Sequence, residues 1–123
     1  MKATNFVLLL VALILAALLF PLGILYTLMR CIVRMSMNKA LGYLSNTAFS
    51  ISLSIDLMGN VICRDLFNFF LIHAGGYPFG NNRETISRVL GLNKRLGALT
   101  DLGRALANLL DFIDPNHVER AAN

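Results

Sequence analysis

From Phe6 to Met29 the chain runs for 24 residues without a charge and almost without a polar side chain. As a helix rising ~1.5 Å per residue, this run is about 36 Å long, enough to cross roughly 30 Å of hydrocarbon with some tilt. A chain of 123 residues has no core large enough to surround such a helix. The run is also about twice the roughly 7–15-residue apolar region of a cleaved secretory signal, and no A-x-A-like site follows it. The expectation is therefore an uncleaved transmembrane anchor over residues 1–30. Thr4 and Asn5 offer an N-cap, and Pro21, which lacks an N–H, predicts a kink near Pro21–Gly23. Tyr26 suits the membrane interface. Ala12, Ala16 and Gly23 would let two such helices approach closely, which allows a homo-oligomer through the membrane helix.

Charge is distributed as unevenly as hydropathy. Lys2, Arg30, Arg34 and Lys39 are the only charged residues before Asp56, so the formal net charge of +4 lies entirely there. From Asp56 onward seven bases and seven acids cancel. A uniformly basic nucleic-acid binder does not have this pattern. The bias sits beside the apolar run: Arg30, Arg34 and Lys39 follow it, against Lys2 and the α-amine before it. By the positive-inside rule the N-terminus lies outside and the bulk of the chain in the cytoplasm of a single-pass inner-membrane protein. The same basic residues suit anionic headgroups of the lipid bilayer.

Residues 31–48 read as a basic juxtamembrane helix or linker, prolonging the span or turning into the interface, with Gly42 as its weak point. Residues 49–123 read as a small cytoplasmic helical module. Phe49, Ile51, Leu53, Ile55 and Leu57 alternate with polar residues, a strand pattern, and Gly59-Asn60 could turn a hairpin within 49–63. A lone strand lacks partners, and Leu53, Leu57 and Val61 also fall at helical spacing, so helix is preferred. Asn60 to His73 predicts a short buried helix, with Arg64 and Asp65 excluding a second span. Gly75–Asn82 is a loop. Asn82 offers a cap for a helix from Arg83 to about Leu92 with Ile86, Val89 and Leu90 on one face. Thr100 caps another, in which Leu102, Leu106, Leu109, Leu110 and Ile113 repeat before Asp114-Pro115 ends it. The fold class is mainly α: one transmembrane helix followed by a module of three to four helices.

Chemistry-bearing motifs are sparse. Cys31 and Cys63 lie in segments expected to be cytoplasmic and read as reduced packing residues. Cys63, His73 and His117 have no local metal-ligand spacing, so no metal site or cofactor is expected. No P-loop, G-x-S-x-G or H-E-x-x-H is present, and the chain reads as a non-enzyme. Arg83 to Ile113 superficially suggests a helix-turn-helix, with Arg83, Arg88, Lys94, Arg95 and Arg104 available to phosphates; the zero net charge around it makes a nucleic-acid partner the lesser expectation.

Two segments, Ser54–Asn60 (SIDLMGN) and Gly80–Gly91 (GNNRETISRVLG), carry a resemblance. Asp56 and Asn60 fit a D-x-x-x-N, Glu84, Thr85 and Ser87 an E-T-x-S helix start, and His117 a His after the C-terminal helix. In these respects residues 53–121 are similar to a widespread set of small proteins, of unassigned activity, encoded by tailed bacteriophages and prophages. There the His is often followed by Cys, and here by Val118. Many such proteins lack the membrane helix. The resemblance implies phage origin and a bacterial host, and no activity. Capping and dipole effects account for Glu84, Thr85 and Ser87 near a helix start. Asp56 and Asn60, four residues apart beside a glycine, predict either a latch that hydrogen-bonds the Glu84–Ser87 helix start or a site for a partner. The functional expectation is an accessory membrane protein acting by contact with a protein partner, in superinfection exclusion, lysis control or interference with a host process. The alternatives are a holin-like permeabilising protein and a membrane-tethered DNA-binding protein.

Overall fold

The computed structural model describes residues 2–123. It contains six helices: α1 (Lys2–Arg34), α2 (Met37–Ile62), α3 (Arg64–Phe70), α4 (Ile86–Leu96), α5 (Asp101–Ile113) and α6 (His117–Ala121). Two compact units divide within α2, residues 1–47 and 48–123.

In the first unit, α1 is a 33-residue helix that is long and apolar enough to cross a membrane, and nothing covers its most apolar stretch. Thr4 and Asn5 lie inside it rather than capping it. The helix continues through Pro21 and Gly23, so the missing Pro21 N–H does not interrupt it. Cys31 is the one buried side chain of α1. The chain leaves helix at Met35–Ser36 and not at Gly42, which sits within α2. The Ser36 carbonyl accepts the Ala40 N–H (2.9 Å), starting α2.

Residues 49–62 are helix, which removes the strand or hairpin alternative. Ser54, one of the alternating serines, is accommodated there. Ser54 Oγ donates to the Ser50 carbonyl (3.0 Å), as Thr47 Oγ1 does to that of Tyr43 (2.9 Å), returning each hydroxyl to its own helix. Cys63 separates α2 from α3. No residue of α3 is buried: Leu66, Phe69 and Phe70 are exposed, and within 60–73 only Asn60, Leu71 and Ile72 are buried, contrary to the buried helix the sequence predicts there. The apolar residues there exceed what the small core admits.

That core comprises Leu71, Ile72, Phe79, Val89, Leu90, Leu99, Ala107 and Val118, with Phe67, Ile86, Leu106 and Leu110 packed against it. Phe67 and Phe79 meet edge to face, centroids 5.3 Å apart. Helices α4, α5 and α6 pack on one another. A bridge between Ile72 and Leu99 ties the segment after α3 to the α4–α5 connection, with His73 N–H to Ala98 O (2.8 Å) and Thr100 N–H to Leu71 O (3.0 Å). Helix α4 starts after Thr85, not Asn82, because Thr85 Oγ1 accepts the Arg88 N–H (3.0 Å). Asn81 Oδ1 meanwhile accepts the Arg83 N–H (3.0 Å) in a turn. Thr100 caps α5 by accepting from Gly103 (3.1 Å), and α5 ends before Asp114. Of its repeating leucines only Leu106 and Leu110 turn inward; Leu102, Leu109 and Ile113 are exposed.

Helix α6 lies so close to α4 that a Cβ on Gly91 would stand 2.0 Å from the Val118 carbonyl oxygen. Nothing lies within 4 Å of a Cβ at Gly42. Gly91→Ala is therefore expected to destabilise the fold by roughly 1–3 kcal/mol or more through overpacking. Gly42→Ala is expected to stabilise its helix by about 0.5–1 kcal/mol. Thermal unfolding of the full chain in detergent, followed by circular dichroism, checks both signs.

Candidate functional site

Asp56 and Asn60 lie one turn apart on α2 and face the segment that leads into α4. Each meets a different backbone need. Asp56 Oδ1 accepts the Ile86 N–H (2.7 Å) and Oδ2 the Ser87 hydroxyl (3.1 Å). A carboxylate thus meets one of the first amides of α4, where the helix dipole also favours negative charge. Asn60 is fully buried. Its amide donates to the carbonyls of Asn81 (3.0 Å) and Glu84 (2.7 Å), and its oxygen accepts the Gly80 N–H (3.1 Å). A buried amide with both donors and an acceptor engaged carries no desolvation debt.

Two further asparagines, which sequence reasoning misses, hold the preceding loop in the same manner. Asn68 accepts from Phe79 N–H (2.7 Å) and donates to Phe79 O (3.2 Å). Asn93, fully buried, accepts from Tyr77 N–H (2.7 Å) and donates to Tyr77 O (2.8 Å) and Val89 O (2.9 Å). A signal for Asn93 exists: it continues the inward phase of Ile86, Val89 and Leu90, where a polar residue needs a partner. Three side-chain amides therefore satisfy the backbone of Tyr77–Glu84. Gly80 is the loop's steric requirement, since at φ 124° any Cβ would stand 2.3 Å from Arg64 Cδ.

Glu84 precedes the α4 N-cap instead of occupying the first turn, and it is buried. The Tyr77 hydroxyl donates to its two oxygens (2.8 and 2.9 Å), and Arg88 Nε pairs with it (3.2 Å). The bond to Glu84, with burial and the nearby carboxylate charge, raises the Tyr77 pKa above its ordinary value. Arg88 Nη1 also reaches the carbonyls of Ala122 (3.1 Å) and Asn123 (3.3 Å), past the end of α6.

His117 joins the cluster from α6. Its Nδ1 meets Asp114 Oδ2 (3.0 Å) and its Nε2 meets Ser87 Oγ (3.1 Å), so Asp114, His117, Ser87 and Asp56 form a continuous chain. The order acid–His–Ser resembles a hydrolytic relay. Ser87, however, is 5% exposed, and its hydroxyl is already bonded to Asp56, whereas a nucleophile needs access to substrate. The arrangement can join α2, α4 and α6; it does not present a reactive hydroxyl. All six residues singled out in the sequence, Asp56, Asn60, Glu84, Thr85, Ser87 and His117, are thus within one hydrogen-bonded region. Arg30, Arg34 and Lys39 are exposed in the other unit.

Asp111 secures α6 from α5, accepting the Val118 N–H (3.0 Å) and pairing with Lys94 (3.1 Å). Burial pushes the Asp111 pKa up, but the Val118 N–H and the Lys94 ammonium outweigh it and leave it lowered. The bonds from His117 and Arg120 lower that of Asp114. The basic residues of the suggested helix-turn-helix are largely engaged. Arg88 pairs with Glu84, Lys94 with Asp111, Arg95 with Glu119 and Arg104 with Asp101. Among the described residues no three His, Cys, Asp or Glu side chains converge, and Cys31 and Cys63 are both free thiols. The chain matches no family model, no curated protein and no solved structure.

Asp56→Ala is expected to cost about 2–4 kcal/mol, by removing a charge-assisted bond to the α4 amide and stranding Ser87. Chemical denaturation of the full chain in detergent measures it. An equally stable variant that has lost only its biological effect contradicts a structural role. Stability should also fall with acid. Asp111 and Asp114 have folded pKa values below the ordinary 3.8, so their contribution is present above that value and is lost as pH falls through it and below. The thermal midpoint between pH 6 and pH 2.5 should therefore drop from near pH 4 downward, less steeply in Asp111→Asn.

Proposed function

We propose that this chain is a phage- or prophage-encoded accessory protein, anchored once in the bacterial inner membrane, that acts by contact with a protein partner. The observation that carries the reading is how the two kinds of side chain are spent. The conspicuous polar residues are consumed by internal hydrogen bonds, while a wholly apolar groove lies open. Leu66, Phe67, Phe70, Leu71 and Leu102 line a cavity of about 290 Å³, and Leu66, Phe70 and Leu102 are each about half exposed. Exposed apolar surface of this kind is characteristic of interaction sites. Phage origin rests on the D-x-x-x-N and E-T-x-S resemblance. Orientation, with the N-terminus outside and residues 49–123 in the cytoplasm, rests on Arg30, Arg34 and Lys39 following the apolar run. Superinfection exclusion, lysis control and interference with a host membrane process all suit a small module held at the inner membrane. The ion pairs on Arg88, Lys94, Arg95 and Arg104 favour this reading over duplex binding.

Expressed in a bacterial host, the full chain should stay in the membrane pellet at alkaline pH, at its uncleaved mass. A C-terminal fluorescent fusion should be bright, as it is when cytoplasmic. Its effect on phage plating or lysis timing should be lost when Phe6–Met29 is replaced by a polar spacer, and in Phe70→Asp. Cleavage after the apolar run, or an effect undiminished without it, contradicts the anchor. Collapse of the membrane potential on induction supports the holin-like alternative instead.

A further inference from the structure

Helix α2 carries a second pattern, separate from the one that holds Asp56 and Asn60. Met37, Leu41, Leu44, Ala48, Ile51, Ile55, Met58 and Ile62 follow one another at alternating steps of four and three, without a break, along the helix. This is a heptad seam with Leu41, Ala48, Ile55 and Ile62 at a, and Met37, Leu44, Ile51 and Met58 at d. No charged or polar residue interrupts it. In the same register Asp56 falls at b and Asn60 at f, so the latch leaves α2 on the side away from the seam.

Most of the seam is uncovered among the described residues; Leu44, with Ala40 and Thr47 beside it, is half-buried. Met37 is 74% exposed, Ile55 57%, Met58 56% and Ile62 71%. The flanking positions are uncharged and mostly small: Asn38, Ser45, Ser52 and Gly59 at e, and Ala40, Thr47, Ser54 and Val61 at g. Gly59 already lies against Ile86, but Asn38, Ser45 and Ser52 leave room beside the seam, and none of these positions supplies a charge to select a foreign helix. A helix that lies on an anionic bilayer instead carries a basic polar face, and α2 has Lys39 as its only base and Asp56 as its only acid. We infer that the α2 seam is covered by the α2 seam of a second copy of this chain, in parallel. Parallel pairing rests on the proposed α1 anchor, which inserts both copies from the same side. At roughly 60–100 Å² for each of the six large exposed side chains, two such seams bury about 700–1,200 Å², which reaches the lower end of a stable interface.

Single cysteines placed in the full chain, in a Cys31→Ala/Cys63→Ala background, test this in native membranes. Under mild oxidation Ile51→Cys, Ile55→Cys and Met58→Cys should each give a disulfide-linked dimer, at least about fivefold more than Ser50→Cys or Leu53→Cys on the other sides of α2. Equal cross-linking at all five positions, none at the seam, or products with a foreign protein overturns the proposal. So do seam cysteines that give no dimer but resist a water-soluble maleimide, which marks a lipid-covered face. Antiparallel pairing would cross-link only near one position and also contradicts it. As a second measurement, Ile55→Asp should convert the detergent-solubilised dimer to monomer while Leu53→Asp does not. Alkaline extraction of the same membranes reads the anchor independently: a chain that washes off yet cross-links at all three seam positions fails the anchor and keeps the seam.

Discussion

Asn60 is the interaction on which the second unit depends. A 76-residue unit with few buried apolar side chains must bring the backbone of Tyr77–Glu84 against its core. Each buried N–H and carbonyl in that segment costs free energy unless it is paired. No sheet is available to pair them, and the isolated Ile72–Leu99 bridge serves only the flanking chain. Side-chain amides substitute. Asn60, Asn68 and Asn93 each both donate to and accept from that backbone, and Asp56 meets the α4 amide where the loop ends. No buried side-chain polar atom among the described residues lacks a partner. Such a network is specific as well as stabilising, because a shift of one residue in the loop strands every member.

Much of this is legible in the sequence where local rules decide. Thr100 and Asp114 bound α5 because capping and the following Pro115 act on adjacent residues. The D-x-x-x-N and E-T-x-S segments stand out through their resemblance to small phage-encoded proteins, and Asp56 and Asn60 also through their four-residue spacing beside Gly59. Misreadings arise where tertiary contacts decide. Asn82 is as good a local cap as Thr85, and Asp56, 30 residues away, accepts the Ile86 amide and supports the later start. The alternation at Phe49–Leu57 satisfies both strand and helix periods, since Ile51, Ile55 and Met58 belong to a heptad repeat. Asn68 and Asn93 are hidden because their partners are backbone atoms of a loop whose path no periodicity describes.

The apolar excess of the composition separates into three uses. The α1 helix is long and apolar enough for a membrane. Val89, Leu90, Leu99 and Val118 build a small core. The remainder, on α2, α3 and α5, is surface. A unit that spends its polar side chains on its own loop and leaves apolar ones outside is suited to holding a rigid shape against partners. That division underlies the proposed role in protein contact.

The Asp56–Asn60 network is structural and closed in the native state. Native-state hydrogen exchange of the full chain in detergent tests it most directly at the amides of Gly80 and Ile86, which have no helical acceptor of their own. Both amides should be protected about as well as that of Leu90 in the core of α4, since opening either bond requires the module to open. Exchange as fast as at Ala74 and Gly75, in the exposed loop, would contradict it.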